Sequence, residues 1–236
     1  MSVNKRILIC QCSERHLLRN VDEASGLVAS DEAVVVSDLC KAASEQLPVL
    51  GDVAAAESPV VYACHPRAVR ALFDFAGSPL PAGAACINLR DPEVRPAITP
   101  SNESAPAWFP VIDYDRCTSC GQCFEFCLFG VYEKDEDGTV RVANPQSCKN
   151  NCPACARICP EAAIIFPKVG EAPINGAEIT DEDELKSSIK VNVDEILGDD
   201  IYAALNTRKQ KRRALLNRKK IEQALAERNK CSEDQP

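Results

Sequence analysis

The chain has 236 residues, a formal net charge of −8, and 14 cysteines beside a single Met and a single Trp. Its apolar stretches are far shorter than the roughly 20 residues of a membrane-spanning helix, which excludes a membrane span. The first residues run straight into an apolar segment without the pattern of a cleavable leader, so we expect a cytoplasmic protein with reduced cysteines instead of a disulfide framework.

Strands and helices alternate in the first part of the sequence. Short apolar runs predict β-strands at residues 6–12, 33–37 and 60–63. Residues 66–76 have a proline at the first turn and apolar residues on one face, which predicts a helix. This alternation predicts a small parallel α/β domain over residues 1–90.

Four cysteines lie at or just after the ends of these strands: Cys10, Cys12, Cys40 and Cys64. In an open parallel sheet the carboxyl ends of the strands share one edge, which is where ligands bind. The four are therefore candidate iron ligands of an additional site, or a redox-active thiol group. The alternative is that they are buried small hydrophobic residues, as free cysteines often are. Cys86 opens a later strand and is predicted to be a core residue.

Residues 1–90 also resemble the N-terminal part of HdrA, the flavin-containing component of heterodisulfide reductase. The resemblance rests on Ile9-Cys10-Gln11-Cys12, Asp38-Leu39-Cys40, Ala63-Cys64-His65-Pro66-Arg67 and Ile87-Asn88-Leu89-Arg90. Those relatives carry an iron–sulfur site near such cysteines, so the resemblance implies a third cluster in this domain. They continue into a flavin-binding domain with a Gly-rich fingerprint. This sequence has no G-x-G-x-x-G, so we expect no flavin in this chain.

Five prolines lie between positions 91 and 110 and favour an extended backbone. We therefore predict a linker over residues 91–107, followed by a second domain over residues 108–176.

Eight cysteines of the second domain form two closely spaced runs. The first run is Cys117, Cys120, Cys123 and Cys127, and the second is Cys148, Cys152, Cys155 and Cys159. A loop with a thiolate at every third or fourth residue can wrap three corners of an iron–sulfur cubane. Zinc sites usually pair two short knuckles across a longer insert, and this spacing fits them poorly.

The first run and the Cys159-Pro160 end of the second resemble the two-cluster bacterial ferredoxins. The resemblance implies two [4Fe-4S] clusters with crossed ligands. One cluster takes Cys117, Cys120, Cys123 and Cys159, and the other takes Cys148, Cys152, Cys155 and Cys127. The second run has one extra residue between its first two cysteines, which is predicted to bulge that loop.

The strands around the two runs follow the ferredoxin order. We predict an entering strand at residues 108–112, a hairpin at 131–142 and a closing strand at 163–166, with Asp137-Gly138 as the hairpin turn. The fold class is thus a small parallel α/β domain followed by an α+β ferredoxin-like domain and a helical tail. So small a domain is expected to need its clusters for folding.

The remaining residues, 177–236, divide by charge. Acidic residues dominate residues 178–200, whereas residues 201–230 are strongly basic and lack proline and glycine, which predicts a basic helix. This helix is predicted to dock a partner or the acidic segment, with a solvated tail as the alternative. No motif in it supports nucleic-acid binding.

These features predict an iron–sulfur electron-transfer protein or subunit that exchanges single electrons with a reductase or dehydrogenase. Its acidic body favours a partner with a basic docking patch. One alternative is a component of a thiol/disulfide reductase that uses the N-terminal cysteines, and another is a cluster-stabilised assembly or sensor protein. Without a catalytic triad, a carboxylate pair or a phosphate loop, the sequence does not predict an autonomous enzyme.

Overall fold

The computed structural model of the chain describes residues 6–12, 33–90, 107–183, 185 and 218–233. It is a mixed α/β structure with a parallel sheet and a second unit that carries the two cysteine runs, which we call the ferredoxin-type unit after the resemblance described above. The predicted linker lies outside the described residues except for residue 107, and residues 201–217 of the predicted basic helix also lie outside them.

A four-stranded parallel sheet organises the N-terminal unit. Its strands are β1 (Ile7–Cys10), β2 (Ala33–Val36), β3 (Val60–Ala63) and β4 (Ala85–Asn88), in the order β2-β1-β3-β4. Every residue of β1 is buried, as expected for a central strand that is covered on both faces. The predicted parallel sheet is confirmed.

The described part of this unit contains three helices: α1 (Leu39–Ser44), α2 (Pro48–Ala54) and α3 (Pro66–Phe75). The Asp38 carboxylate caps α1 by accepting a hydrogen bond of 2.9 Å from the Cys40 amide. Helix α3 begins with a proline in its first turn and buries Leu72 and Phe73 completely. The predicted helix after the third strand is therefore confirmed.

The ferredoxin-type unit consists of short strands around the cysteine runs. Its elements are β5 (Val111–Ile112), α4 (Gln122–Phe126), β6 (Tyr132–Lys134), β7 (Val140–Val142), a 3-10 turn (Pro145–Ser147), α5 (Ala154–Arg157) and β8 (Ile164–Ile165). Strand β5 pairs antiparallel with β8, and β6 with β7. The hairpin turn contains Gly138 at φ 86° beside Asp137, which accepts a hydrogen bond from the Thr139 amide. The predicted order of elements is confirmed.

The two units pack against each other, and the ferredoxin-type unit also has a separate hydrophobic core around Tyr132 and Phe166. Phe109, Val111 and Ile165 of the ferredoxin-type unit pack into the core of the N-terminal sheet. Gly176 also approaches α3 so closely that a Cβ atom there would lie 2.6 Å from the Cβ of Ala68. The two units are therefore in direct contact, and the predicted division into two domains stays a prediction.

The last described helix is α6 (Arg218–Glu233), which packs against α5. Its Ala224 is completely buried in a small cluster with Ile158 and Ala162. No helix in the described part of the chain is long and apolar enough to cross a membrane.

Candidate iron–sulfur centres

The eight cysteines of the two runs line two separate cavities. The first cavity is lined by Cys117, Cys120, Cys123 and Cys159. Its other walls include the apolar side chains of Val140 and Ile164. Three of its cysteines come from the first run and the fourth from the end of the second run.

The second cavity has the complementary set of cysteines: Cys127, Cys148, Cys152 and Cys155. Val131, Phe129 and Tyr132 form apolar walls, and Arg228 of α6 closes one side. The structure thus brings the cysteines together in the two crossed groups that the ferredoxin resemblance implies.

Short helices explain how each run serves both cavities. Cys123 lies in α4, and Cys127, one turn later, ends that helix with its amide bonded to the Cys123 carbonyl at 3.1 Å. Cys155 lies in α5, and Cys159 follows it at the same spacing. Residues four apart in a helix lie one turn apart along its axis, so the last cysteine of each run reaches the other cavity.

Left-handed residues shape the loops between the cysteines. Ser119 has φ 52°, and Gly121, which precedes α4, has φ 80°. In the second run Asn151 has φ 59°, within a turn that the Cys152 amide closes on the Lys149 carbonyl at 3.2 Å. Asparagine tolerates this conformation well, and the turn accommodates the extra residue of that run.

Hydrogen bonds to sulfur are present at both cavities. The Ala163 amide donates to Cys159 Sγ at 3.3 Å, and the buried Tyr132 hydroxyl donates to Cys155 Sγ at 3.1 Å. Such donors stabilise negative charge on thiolates and cluster sulfurs. The donor set and the apolar walls of both cavities therefore fit an iron–sulfur cubane.

Burial opposes free thiolates in the two cavities. It raises the pKa of Cys123 to about 12, and the nearby Cys159 and Cys120 raise it as well. Burial also raises the pKa of Cys155 well above its usual range, against the lowering effect of the Tyr132 hydrogen bond. Iron must therefore displace protons from these sulfurs when it binds.

Four further cysteines lie at the carboxyl edge of the N-terminal sheet: Cys10, Cys12, Cys40 and Cys64, all of them buried. A hydrogen bond with Cys12 and burial raise the pKa of Cys10 well above its usual range. Burial also raises the pKa of Cys64 to about 12, with a further contribution from Cys12. Burial is the main cause that raises the pKa of Cys40, followed by the nearby Asp38, and Cys64 and Cys12 make smaller contributions in the same direction. The predicted grouping of these four side chains at one edge is present.

A buried ion pair from the other unit reaches this group. Lys168, which follows β8 and is 2% exposed, pairs with Asp38 at the start of α1. Burial alone would lower the pKa of Lys168, but Cys40 and Asp38 outweigh it and the pKa is raised. The ferredoxin-type unit thus places a cation beside the N-terminal cysteines.

His65 and Cys86 have other surroundings. His65 follows Cys64 in the chain, whereas Cys86 pairs with Val61 in the amino-terminal half of β4, away from this edge. His65 Nδ1 lies 3.3 Å from the Asn88 amide nitrogen, and burial followed by Arg90 lowers the His65 pKa to about 4. Cys86 lies within β4, partly buried against the core, as predicted.

Among the residues that the structure describes, no three Cys, His, Asp or Glu side chains lie close enough to hold one metal ion. A cubane makes a different demand, because each of its four thiolates binds a different iron and the ligands surround a wider space.

Comparison with known proteins connects the two cavities to a family. Residues 109–183 match the family model of the 4Fe-4S dicluster domain. An uncharacterised ferredoxin of Methanocaldococcus jannaschii is 52% identical over 62 residues, which cover 26% of this chain and 42% of that relative. Ferredoxin-3 of Nostoc sp. is 34% identical over 77 residues, with 25% of this chain and 78% of that relative covered. The chain belongs to the ferredoxin family.

The ferredoxin domain is also similar to the pyruvate synthase subunit PorD of Methanocaldococcus jannaschii, with 34% identity over 55 residues, or 23% of this chain and 62% of that relative. The chain thus spans less than two thirds of the length of two of these relatives. No solved structure matches the chain. The resemblance of residues 1–90 to the heterodisulfide reductase component HdrA stays a prediction.

Three side chains at these sites had no signal in the sequence. Tyr132 lay in a predicted strand with no sign of its bond to a sulfur. Lys168 and Arg228 come from segments far from the cysteines that they approach, and local spacing carries no signal for such contacts. Asp38 alone had a local signal, because an aspartate just before a helix is a typical cap.

Proposed function

We propose that this chain transfers single electrons to or from a partner oxidoreductase through two [4Fe-4S] clusters held in the ferredoxin domain. The first cluster would be bound by Cys117, Cys120, Cys123 and Cys159, and the second by Cys127, Cys148, Cys152 and Cys155. The observation that carries the proposal is the division of these eight cysteines between two cavities, four to each.

The protein's own residues would control the exchange. A [4Fe-4S] cluster, when bound, accepts and releases one electron without a proton. Val140 and Ile164 at the first cavity, and Val131 and Phe129 at the second, limit access of water. Hydrogen bonds to cysteine sulfurs and this low solvent access are among the properties that set cluster potentials.

The cysteines of the first cavity are more accessible to solvent than those of the second, because Cys120 is exposed. Phe124, next to Cys123 in sequence, exposes 39% of its surface, and Tyr114 exposes 44%. The acidic hairpin residues Glu136 and Asp137 are also exposed. We place electron exchange with a cytoplasmic reductase or dehydrogenase at the exposed side of the first cavity, and the chain's net charge of −8 favours a partner with a basic patch. Similarity to a pyruvate synthase subunit supports a partner of the oxidoreductase class.

We keep the predicted division into residues 1–90, 91–107, 108–176 and 177–236 as a description of functional parts. The four buried cysteines of residues 1–90 lie outside both cavities and suggest a separate role for the N-terminal part. Cys10, Cys12, Cys40 and Cys64 are buried together beside the Asp38–Lys168 pair. Our second candidate is therefore an electron-transfer subunit with a third iron–sulfur centre at these four cysteines.

The alternative use of these cysteines is direct thiol/disulfide chemistry. A thiol that attacks a disulfide must be accessible, and the four thiols expose at most 9% of their surface. Burial therefore favours a metal centre over a reactive thiol pair. A sensor or assembly role would use the same clusters and is a third alternative that partner binding would reveal.

Removing one cysteine from each cavity tests the proposal. We expect Cys123→Ala and Cys155→Ala each to lower the iron content by at least about four atoms per chain, because each cubane needs four thiolates. Cys86→Ala is the matched control, since Cys86 lines neither cavity. Iron and sulfide analysis after anaerobic purification is the measurement. Full iron content in either cavity variant would refute the assignment of its ligands.

The double variant Cys40→Ser with Cys64→Ser tests the N-terminal centre in the full chain. If that centre exists, the variant should lose about four irons relative to the wild type and keep those of the ferredoxin domain. Equal iron content in both proteins would exclude the third centre. Loss of disulfide-reducing activity in the variant, at equal iron content, would favour the thiol alternative.

A further inference from the structure

Helix α6 is held against the ferredoxin domain by both apolar and charged contacts. Ala224 is completely buried against that domain. Arg157 of α5, whose side chain is 12% exposed, donates to Glu227 of α6 at 2.9 Å and to Glu171 at 2.9 Å. A low-exposure arginine shared by two carboxylates fixes the position of α6 more firmly than a surface ion pair would.

Arg228, the next residue of α6, extends to the second cavity. Its guanidinium lies over the Phe126 ring, 5.3 Å from the ring centre, and its side chain lines the cavity together with the four cysteines of that cavity. The negative face of the ring attracts the guanidinium and favours this position of the Arg228 side chain.

The Nε atom of Arg228 is buried and has no hydrogen-bond partner in the described part of the chain. A buried charged donor without an acceptor costs more free energy than a neutral one, so native structures usually supply a partner. The cavity beside this N–H group is the one whose cysteines were assigned to the second cluster. A cluster sulfur or a thiolate there would be the missing acceptor.

The first cavity has no equivalent cation among its described lining residues. Glu161 is the one charged side chain in that lining, and it is acidic. Lys134 approaches Gly121 of this cavity, but Lys134 is exposed and lies outside the lining. The described linings of the two cavities therefore differ in charge, with a buried arginine nitrogen only at the second, although each contains four cysteines.

We propose that Arg228 donates a hydrogen bond to the second cluster and raises its reduction potential above that of the first. This inference rests on the proposed two-cluster function. Reduction adds one negative charge to a cluster, and a buried cation beside it stabilises that charge. Electrons that enter at the exposed first cluster would then pass to the second, which makes α6 a determinant of the direction of transfer.

The test is a redox titration of the full-length, cluster-loaded protein, followed by electron paramagnetic resonance. Arg228→Met removes the charge and the N–H donor but retains an apolar stem against Phe126. We expect the reduction potential of one cluster to fall by at least about 59 mV, which corresponds to a tenfold change in its one-electron redox equilibrium constant. The other cluster should keep its potential.

Two further variants keep the test specific. Arg228→Lys retains the charge without the guanidinium and should give a smaller shift. Arg141→Met removes an exposed arginine that lines neither cavity and should shift neither potential. If Arg228→Met holds both clusters and neither potential moves, the role of Arg228 is refuted while the two-cluster function stands. Wild-type protein without two clusters would refute the function itself.

Discussion

Removal of the clusters by anaerobic chelation is expected to unfold the ferredoxin domain and to loosen the N-terminal sheet. Strands β5 and β8 have two residues each, and the loops around the cysteines have little regular structure. Structural metal sites contribute on the order of 10 kcal/mol to folding, which is as much as a small domain's whole stability. Without its clusters the domain has too small a core to fold firmly.

The shared core extends the effect beyond the cluster loops. Phe109, Val111 and Ile165 would leave the core of the N-terminal sheet when the ferredoxin domain unfolds. Residues in β1 and β3 should therefore lose part, but not all, of their protection, because that sheet retains a large apolar core of its own.

Amide hydrogen exchange of the cluster-loaded and cluster-free proteins measures both effects. We expect protection in residues 108–176 to fall nearly to that of an unfolded chain, with a partial fall in the N-terminal sheet. Protein reconstituted with iron and sulfide is the control and should regain both. Equal protection of the ferredoxin domain in the two states would contradict its dependence on clusters.

Substitution of Arg67 by methionine is expected to destabilise the cluster-loaded protein by about 3 kcal/mol, because it leaves a partly buried carboxylate and two carbonyl groups without their donor. Arg67 of α3 pairs with Asp113 at 2.9 Å, and the two side chains are 16% and 13% exposed. Its other nitrogens donate to the carbonyl groups of Ala177 and Ala162, each at 3.0 Å. Arg67 of the N-terminal unit thus forms hydrogen bonds with three residues of the ferredoxin-type unit.

Chemical denaturation under anaerobic conditions, followed by cluster absorbance and circular dichroism, measures the change. Arg141→Met is the matched control, because Arg141 pairs with Glu133 and Asp135 on the surface and such pairs contribute about 1 kcal/mol or less. Iron content should be unchanged in both variants before denaturation. An Arg67→Met protein as stable as the control variant would show that this connection between the units carries no free energy.

The sequence predicts local features of this molecule well. Aliphatic runs such as Ile7 to Ile9 identify strands because burial of a central parallel strand requires apolar residues on both faces. Asp137-Gly138 identifies the hairpin turn because glycine adopts positive φ without strain. The spacing of the cysteines reflects the distances between the corners of a cubane. The family pattern therefore predicts which four cysteines line each cavity.

Contacts between distant segments could not be anticipated. Lys168 lies 130 residues from Asp38 in the chain, and no periodicity links the two. The predicted division into two domains rests on proline density in residues 91–107. A proline-rich connection does not reveal whether the units that it joins share a core, as Phe109 and Val111 do with the N-terminal sheet. The position of Arg228 likewise depends on how α6 packs.

Iron and acid-labile sulfide analysis of the anaerobically purified full-length protein is the most direct test of the two-cluster assignment. We expect about eight irons and eight sulfides per chain from the ferredoxin domain, and about twelve of each if the N-terminal cysteines hold a further cluster. Zinc in place of iron, or no more than about four irons per chain after reconstitution, would contradict the assignment.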